Sequence, residues 1–89
     1  MISESDKQKI RKVSEKYHAK RVLLFGSSLD ETRESRDIDI AVEGICPGDF
    51  FKYYGELMLQ LSKPIDVIDL SGVSKFTKLI QQEGVILYG

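Results

Sequence analysis

The segment Asp37-Ile38-Asp39-Ile40-Ala41-Val42 decides the fold, because it is acidic and alternating at its start and apolar at its end. Successive side chains of a β-strand point to opposite faces, so the alternation predicts a strand with Asp37 and Asp39 on one face. The two isoleucines and Val42 share the other face, which we expect to pack into the core. Because the apolar part follows the acids, both carboxylates are predicted to lie at the beginning of the strand.

The flanking sequence predicts six more elements. A short apolar run ended by Gly26 is typical of a buried strand, and amphipathic segments on either side of the central strand favour helices. The predicted elements are a helix at 6–17, strands at 21–25 and 37–42, a helix at 49–61, a strand at 65–70, a helix from Ser74 to Gly84 and a strand at 85–88. The order α-β-β-α-β-α-β indicates an α/β (α+β) protein with a small mixed β-sheet and helices.

Local signals predict the helix ends and faces. Ser5-Asp6-Lys7-Gln8 has the pattern of a capping box, Asp49 and Ser74 are predicted to cap the next two helices, and Pro64 and Gly84 follow their ends. The predicted apolar stripe of the second helix comprises Phe50, Phe51, Tyr54, Leu57, Met58 and Leu61. One helical face can bury only some of the aromatic residues at 50–54, so we expect the remainder to form a contact patch.

Length and composition indicate a single domain spanning residues 1–89. Hydrophobic residues make up 42% and charged residues 30%, an ordinary globular composition. No apolar run approaches the roughly 18 residues of a membrane span, and the polar N-terminus does not resemble a secretory signal. Cys46 and His18, each the only residue of its type, are too few for a zinc site or an internal disulfide. We therefore expect a cytoplasmic protein that does not contact membranes.

Charge is distributed unevenly along the chain. Residues 1–21 hold seven Lys or Arg and three Asp or Glu, a net charge of +4, whereas residues 22–49 hold two and seven, a net charge of −5. Proteins that bind duplex nucleic acid spread positive charge over one face, so direct duplex binding is not expected. The acidic segment has two interpretations: a solvated loop, or a cluster of carboxylates around a cation.

Three carboxylates and a Gly-Ser turn are predicted to converge at one edge of the sheet. If the first two strands pair antiparallel, Gly26-Ser27 faces Asp37 and Asp39. The crossover helix makes the third strand parallel to the second and brings Asp66 to the same edge. Carboxylate oxygens suit Mg²⁺ or Mn²⁺, and a glycine turn lets backbone N–H groups approach a phosphate. This edge is therefore suited to holding a nucleoside triphosphate on metal ions for in-line displacement.

Each part also has a simpler interpretation. A Gly-Ser pair after a strand is commonly only a turn, and an aspartate at the start of a strand is commonly only its terminator. Asp69 is an alternative third ligand, although its parity places it on the face of the strand opposite Asp66. The combination at matching strand edges is more specific than any of its parts.

The chain resembles the polymerase-beta nucleotidyltransferase superfamily, and in its short length the minimal nucleotidyltransferases of that group. The resemblance rests on Gly26-Ser27, on Asp37-Ile38-Asp39-Ile40 and on the segment Pro64-Ile65-Asp66-Val67-Ile68-Asp69-Leu70. It implies a small mixed sheet with helices. It also implies that Asp37 and Asp39 hold the metals that grip the triphosphate, that Asp66 completes the metal site and helps to activate the acceptor hydroxyl, and that Gly26 and Ser27 bind phosphate.

The resemblance further implies an antitoxin that transfers AMP from ATP to a tyrosine of a HEPN-domain toxin partner, and so silences it. The sequence departs from the family pattern in the loop 28–36, which is acidic and has Arg36 where relatives carry a serine before the first aspartate. Arg33 and Arg36 are candidates for phosphate contact or for ordinary solvated charges. The alternative function is a binding subunit without activity that neutralises its partner by occlusion, and the alternative use of the contact patch is a homodimer.

Overall fold

The computed structural model describes residues 2–26, 37–72 and 74–89. Its elements are α1 (Glu4–Lys16), β1 (Arg21–Leu24), β2 (Ile38–Glu43), α2 (Phe50–Gln60), β3 (Ile65–Asp69), α3 (Lys75–Glu83) and β4 (Val85–Tyr88). The predicted order and the mixed α/β class are confirmed. None of the helices in the described ranges is both long and apolar enough to cross a membrane.

The four strands form one mixed sheet in the order β3-β2-β1-β4. β1 is antiparallel to both β2 and β4, and β2 is parallel to β3. The parallel pair follows from α2, because a crossover helix returns the chain to the edge where β2 began. The beginnings of β2 and β3 and the end of β1 therefore lie at the same edge of the sheet, as predicted.

Helices cover both faces of the sheet, and each face has its own core. The larger core lies under α1 and α2 and includes Ile10, Val22, Leu24, Ile38, Ile40, Val42, Tyr53, Leu57 and Ile65. The smaller core lies under α3 and consists of Leu23, Ala41, Leu70 and Ile80, with Phe25 and Ile68 packed against it. Alternate residues of β1 and β2 supply the two cores, since the side-chain period of a strand is two.

The first helix begins earlier than predicted and ends at a left-handed residue. Ser3, not Ser5, caps α1, and its hydroxyl accepts a hydrogen bond from the N–H of Asp6 at 3.2 Å. Asp6 is not at the cap but is buried, and its carboxylate accepts two hydrogen bonds from Ser62, at 3.2 Å from the backbone N–H and 2.6 Å from the hydroxyl. His18 follows the helix with a φ of 59°.

The second helix buries part of the predicted stripe, and Tyr53, which lies outside the stripe, is buried as well. Tyr53, Leu57 and Leu61 are buried, whereas Phe51 and Met58 are 83% and 62% exposed. Burial of Tyr53 needs a partner for its hydroxyl, because a phenol is costly to bury unless that group is hydrogen-bonded. Here the Tyr53 and Ser14 hydroxyls form a buried hydrogen bond of 2.7 Å between α2 and α1. Asp49 precedes the helix but makes no capping hydrogen bond through its side chain, so that prediction was also wrong.

The third helix confirms its predicted ends. Ser74 and Thr77 form a reciprocal capping box at the start of α3. At its end, a Cβ on Gly84 would lie 2.6 Å from the Ile80 carbonyl oxygen and 3.2 Å from the Cβ of Leu23. Only glycine therefore allows the chain to leave α3 so close to β1.

Candidate active site

The register of the sheet brings two of the three predicted acids side by side. Asp39 on β2 and Asp66 on β3 are Cα partners in the parallel ladder, so their backbones are separated by about the 4.8 Å between neighbouring strands. Both lie on the face that carries α3, because Ala41 and Ile68, two residues further along each strand, contact the smaller core. Asp37 directly precedes β2 and is exposed.

Gly26 lies directly against Asp39. The N–H of Phe25 donates to the carbonyl oxygen of Asp39 at 3.1 Å, which holds the end of β1 beside the start of β2. Gly26 then turns with a φ of +67°, and a Cβ placed on it would lie 3.0 Å from Asp39 Oδ2. Both the left-handed backbone and the close carboxylate favour glycine here. Its predicted companion Ser27, together with the acidic loop 28–36 and its Arg33 and Arg36, lies outside the described residues.

A tyrosine that the sequence analysis did not assign to the site lies beside Asp66. The Tyr54 hydroxyl donates to the carbonyl oxygen of Ile65 at 2.9 Å and lies 3.4 Å from Asp66 Oδ1. Burial, and after it the negative charge of Asp66, raises the pKa of Tyr54. The phenol therefore stays protonated beside the carboxylate. Tyr54 is twelve residues from Asp66 and on another element, so the sequence holds no local signal for this contact.

Asp69, the alternative third ligand, does not reach this site. It lies at the end of β3, where its parity puts it on the face opposite Asp66. Its carboxylate accepts a hydrogen bond from the N–H of Ser71 at 2.9 Å, which closes the turn after the strand. Asp69 is thus a turn residue at the opposite end of the strand from Asp66.

The predicted metal ligands do not form a three-residue metal site in the described structure, although two of them are neighbours in the sheet. Within residues 2–26, 37–72 and 74–89, no three His, Cys, Asp or Glu side chains form a group that could hold a metal ion. The pair Asp39 and Asp66 still supplies hard oxygen donors on one face, and Mg²⁺ in proteins commonly takes only one or two carboxylates and completes its shell with phosphate and water. The donor set therefore fits a metal ion that arrives with a triphosphate better than a permanent protein-only site.

A shallow apolar pocket adjoins the glycine turn. It has a volume of about 260 Å³ and is lined by Phe25, Gly26, Phe76, Leu79, Ile80 and Glu83. Phe76 and Leu79 are both about half exposed at this pocket. The face of the sheet that carries the acids thus continues into an apolar surface under α3.

Comparison with known proteins identifies the fold and its chemistry. The sequence profile of the family described as "Polymerase beta, Nucleotidyltransferase" matches residues 8–89. The chain belongs to this family. Membership confirms the resemblance and the nucleotidyltransferase class that the aspartates predicted. No curated protein sequence shows a significant match to the chain.

Solved structures show the same fold in this nucleotidyltransferase's relatives. A chain in a toxin–antitoxin crystal structure with AMP-PNP is 26% identical, with a TM-score of 0.76, and the match covers 93% of this chain and 73% of that one. A chain in the MntA–HepT toxin–antitoxin structure is 22% identical, with a TM-score of 0.73 over 98% and 73% of the two chains. A chain in the complex of the tri-AMPylated Shewanella oneidensis HEPN toxin with its MNT antitoxin is 27% identical, with a TM-score of 0.68 over 94% and 70%.

Proposed function

We propose that this nucleotidyltransferase transfers AMP from ATP to a hydroxyl group of a HEPN-type toxin, and so acts as the antitoxin of that toxin. The observation that carries the proposal is the juxtaposition of Gly26 with Asp39 and of Asp39 with Asp66 at one sheet edge. The similarity to chains of structures that hold AMP-PNP or an AMPylated HEPN toxin supports the nucleotide and the partner. The acceptor we favour is a tyrosine of the toxin.

Each residue of the site has a role in this reaction. Asp37 and Asp39 would hold Mg²⁺ or Mn²⁺ together with the triphosphate, and Asp66 would complete that set. The metal supplies charge neutralisation on the phosphates. Gly26 and Ser27 offer backbone and hydroxyl donors to the phosphate oxygens. Asp66 accepts the hydrogen bond of the acceptor hydroxyl and aims its oxygen at the α-phosphorus, from which pyrophosphate leaves.

Asp39→Asn tests these roles. The substitution is nearly isosteric but removes the charge, so we expect a folded protein whose transfer rate falls by at least about two orders of magnitude. Asp69→Asn is the matched control, because an asparagine at the end of β3 can still accept the hydrogen bond from Ser71. The rate is measured as AMP incorporated into the purified toxin, and circular dichroism reports the fold. Near-normal turnover of folded Asp39→Asn contradicts the proposal.

The partner is proposed to bind the exposed side of α2. Phe51, Met58 and Leu59 are 83%, 62% and 89% exposed, and a groove of about 270 Å³ lies between Phe51, Tyr54, Gly55 and Met58. We name the surface formed by Phe51, Gly55 and Met58 the α2 patch. Its groove is bounded by Tyr54, whose hydroxyl lies 3.4 Å from Asp66 Oδ1, so a protein seated there brings its own side chains to the candidate active site.

Phe51→Ser tests the α2 patch. Large apolar anchors dominate protein interfaces, so we expect binding of the HEPN protein to weaken by about tenfold or more. Ile86→Ser is the control, because Ile86 is also exposed but lies on β4, at the edge of the sheet opposite β3. Binding is measured by calorimetry and self-association by ultracentrifugation. If Phe51→Ser instead converts a dimer of this chain to a monomer, the patch serves a homodimer. If the toxin binds the wild-type chain but is never modified, the inactive binding subunit is the correct function.

A further inference from the structure

Tyr54 occupies the place beside Asp66 that an acceptor hydroxyl needs. Its hydroxyl oxygen lies 3.4 Å from Asp66 Oδ1, and its present hydrogen bond goes to the Ile65 carbonyl at 2.9 Å. Rotation about the bond between the ring and the oxygen turns the O–H from that carbonyl toward the carboxylate. Under the proposed function, Asp66 accepts the hydrogen bond of the acceptor hydroxyl. Tyr54 therefore places a phenol of this chain where that acceptor hydroxyl would lie.

The surroundings of Tyr54 leave room for a group on its oxygen. The residue is half-buried, and its ring borders the groove of about 270 Å³ that it shares with Phe51, Gly55 and Met58. A Cβ on Gly55 would meet no atom within 4 Å, so that side of the helix is open. A nucleotide attached to the hydroxyl can extend along this open surface.

We propose that Tyr54 is a self-modification site, at which the chain transfers AMP from a nucleoside triphosphate to its own phenol. This inference rests on the proposed function, since it uses the same donor and the same carboxylate. The Tyr54 oxygen bonds to the α-phosphorus as the bond between that phosphorus and the bridging oxygen to the β-phosphate breaks. Pyrophosphate leaves, and the phenolic proton passes to Asp66 and then to solvent. No electron transfer is involved, and the product is a phosphodiester of AMP with tyrosine.

The other three tyrosines are differently placed. The Tyr17 hydroxyl donates to Glu56 at 3.0 Å, and Tyr53 is fully buried with its hydroxyl bonded to Ser14. Tyr88 lies on β4, and β1 and β2 separate it from β3. Tyr54 is thus the tyrosine in the described ranges whose hydroxyl contacts Asp66. An AMP group there would also fill the groove of the α2 patch, so the modified chain should bind the toxin less tightly.

The experiment is incubation of the purified chain with ATP and Mg²⁺, without any partner, followed by intact-mass measurement and peptide mapping. We expect one AMP unit on Tyr54. The product should be absent with Tyr54→Phe, with Asp66→Asn, and with an ATP analogue that carries a methylene bridge between the α- and β-phosphates. Tyr88→Phe is the matched control and should be modified like the wild type. Because the phenol and the carboxylate belong to one molecule, the fraction modified per minute should not change over a tenfold range of protein concentration.

Several results would overturn the proposal. AMP found on a residue other than Tyr54, or persisting in Tyr54→Phe, excludes it. A rate that rises with protein concentration excludes transfer within one molecule. If the chain modifies a HEPN protein but never itself, self-modification is wrong and the proposed function stands. If it modifies neither, both are wrong.

Discussion

At the scale of single residues, Asp6 shows how a charge can be buried in a chain this small. It is only 2% exposed. Desolvation of the carboxylate tends to raise its pKa, but hydrogen bonds from the side chain and backbone of Ser62 and from Ser3 together outweigh it, so the pKa of Asp6 is lowered from 3.8. The carboxylate thereby ties the start of α1 to the segment that leads into β3, the strand that carries Asp66.

Asp6→Asn should lower the free energy of unfolding by about 1–2 kcal/mol at neutral pH, because it weakens two charge-assisted hydrogen bonds. A carboxyl whose folded-state pKa is lowered stabilises the protein above its unfolded pKa and loses that contribution as the pH falls through the folded value. The difference between wild type and variant should therefore shrink below about pH 4. Urea unfolding at pH 7 and at pH 3 measures both values. An equal difference at the two pH values would show that the charge is not the stabilising feature.

At the scale of elements, the end of α1 is a Schellman motif built on an unfavourable residue. Ala19 N–H donates to the Ser14 carbonyl at 2.9 Å and His18 N–H donates to the Glu15 carbonyl at 3.1 Å, the paired bonds of that motif. The residue between helix and strand must adopt a positive φ, here 59° at His18. Histidine has a Cβ that disfavours this conformation, whereas glycine does not.

His18→Gly should stabilise the protein by about 0.5–1 kcal/mol, since it removes the left-handed strain and leaves both hydrogen bonds in place. His18 is exposed, and both hydrogen bonds of the motif are made by backbone atoms, which glycine keeps. Thermal unfolding followed by circular dichroism checks this, with His18→Ala as the control that keeps the Cβ and should gain nothing. A lower melting temperature for the glycine variant would contradict the assignment of the strain.

At the scale of the whole molecule, nucleotide binding should stabilise the folded chain against unfolding. The candidate ligands come from β1, β2 and β3, so they are in position only in the folded chain. When only the folded state binds a ligand, that ligand at one hundred times its dissociation constant raises the free energy of unfolding by roughly 2.7 kcal/mol. For a domain of this size, this corresponds to a rise in melting temperature of roughly 10–20 °C.

We expect this rise in melting temperature with ATP plus Mg²⁺, and a much smaller one with either alone. Addition of EDTA should reverse it, because the two carboxylates repel the triphosphate without a cation between them. Differential scanning fluorimetry of the wild type and of Asp39→Asn makes the comparison. ATP stabilisation that persists in EDTA would show that the nucleotide binds without a divalent metal.

The sequence by itself determined the features that depend on local periodicity. The order of the seven elements follows from local hydrophobic patterns. The displacement of Asp69 to the face opposite Asp66 follows from the two-residue period of a strand. The parallel pairing of β2 with β3 followed from the length of the connection between them, which is long enough for a crossover helix. These predictions are confirmed because each depends on a pattern within one element or on the length of one connection.

Only the tertiary structure decided which side of α2 is buried and what meets Asp66. An apolar stripe shows that a helix is amphipathic, but its rotation depends on what it packs against, and here the Ser14 hydroxyl on α1 makes burial of Tyr53 favourable. That rotation exposes Phe51 and Met58 and directs Tyr54 to the β3 edge. The contact between Tyr54 on α2 and Asp66 on β3 depends on how α2 packs against α1. No local pattern in the sequence could therefore predict it.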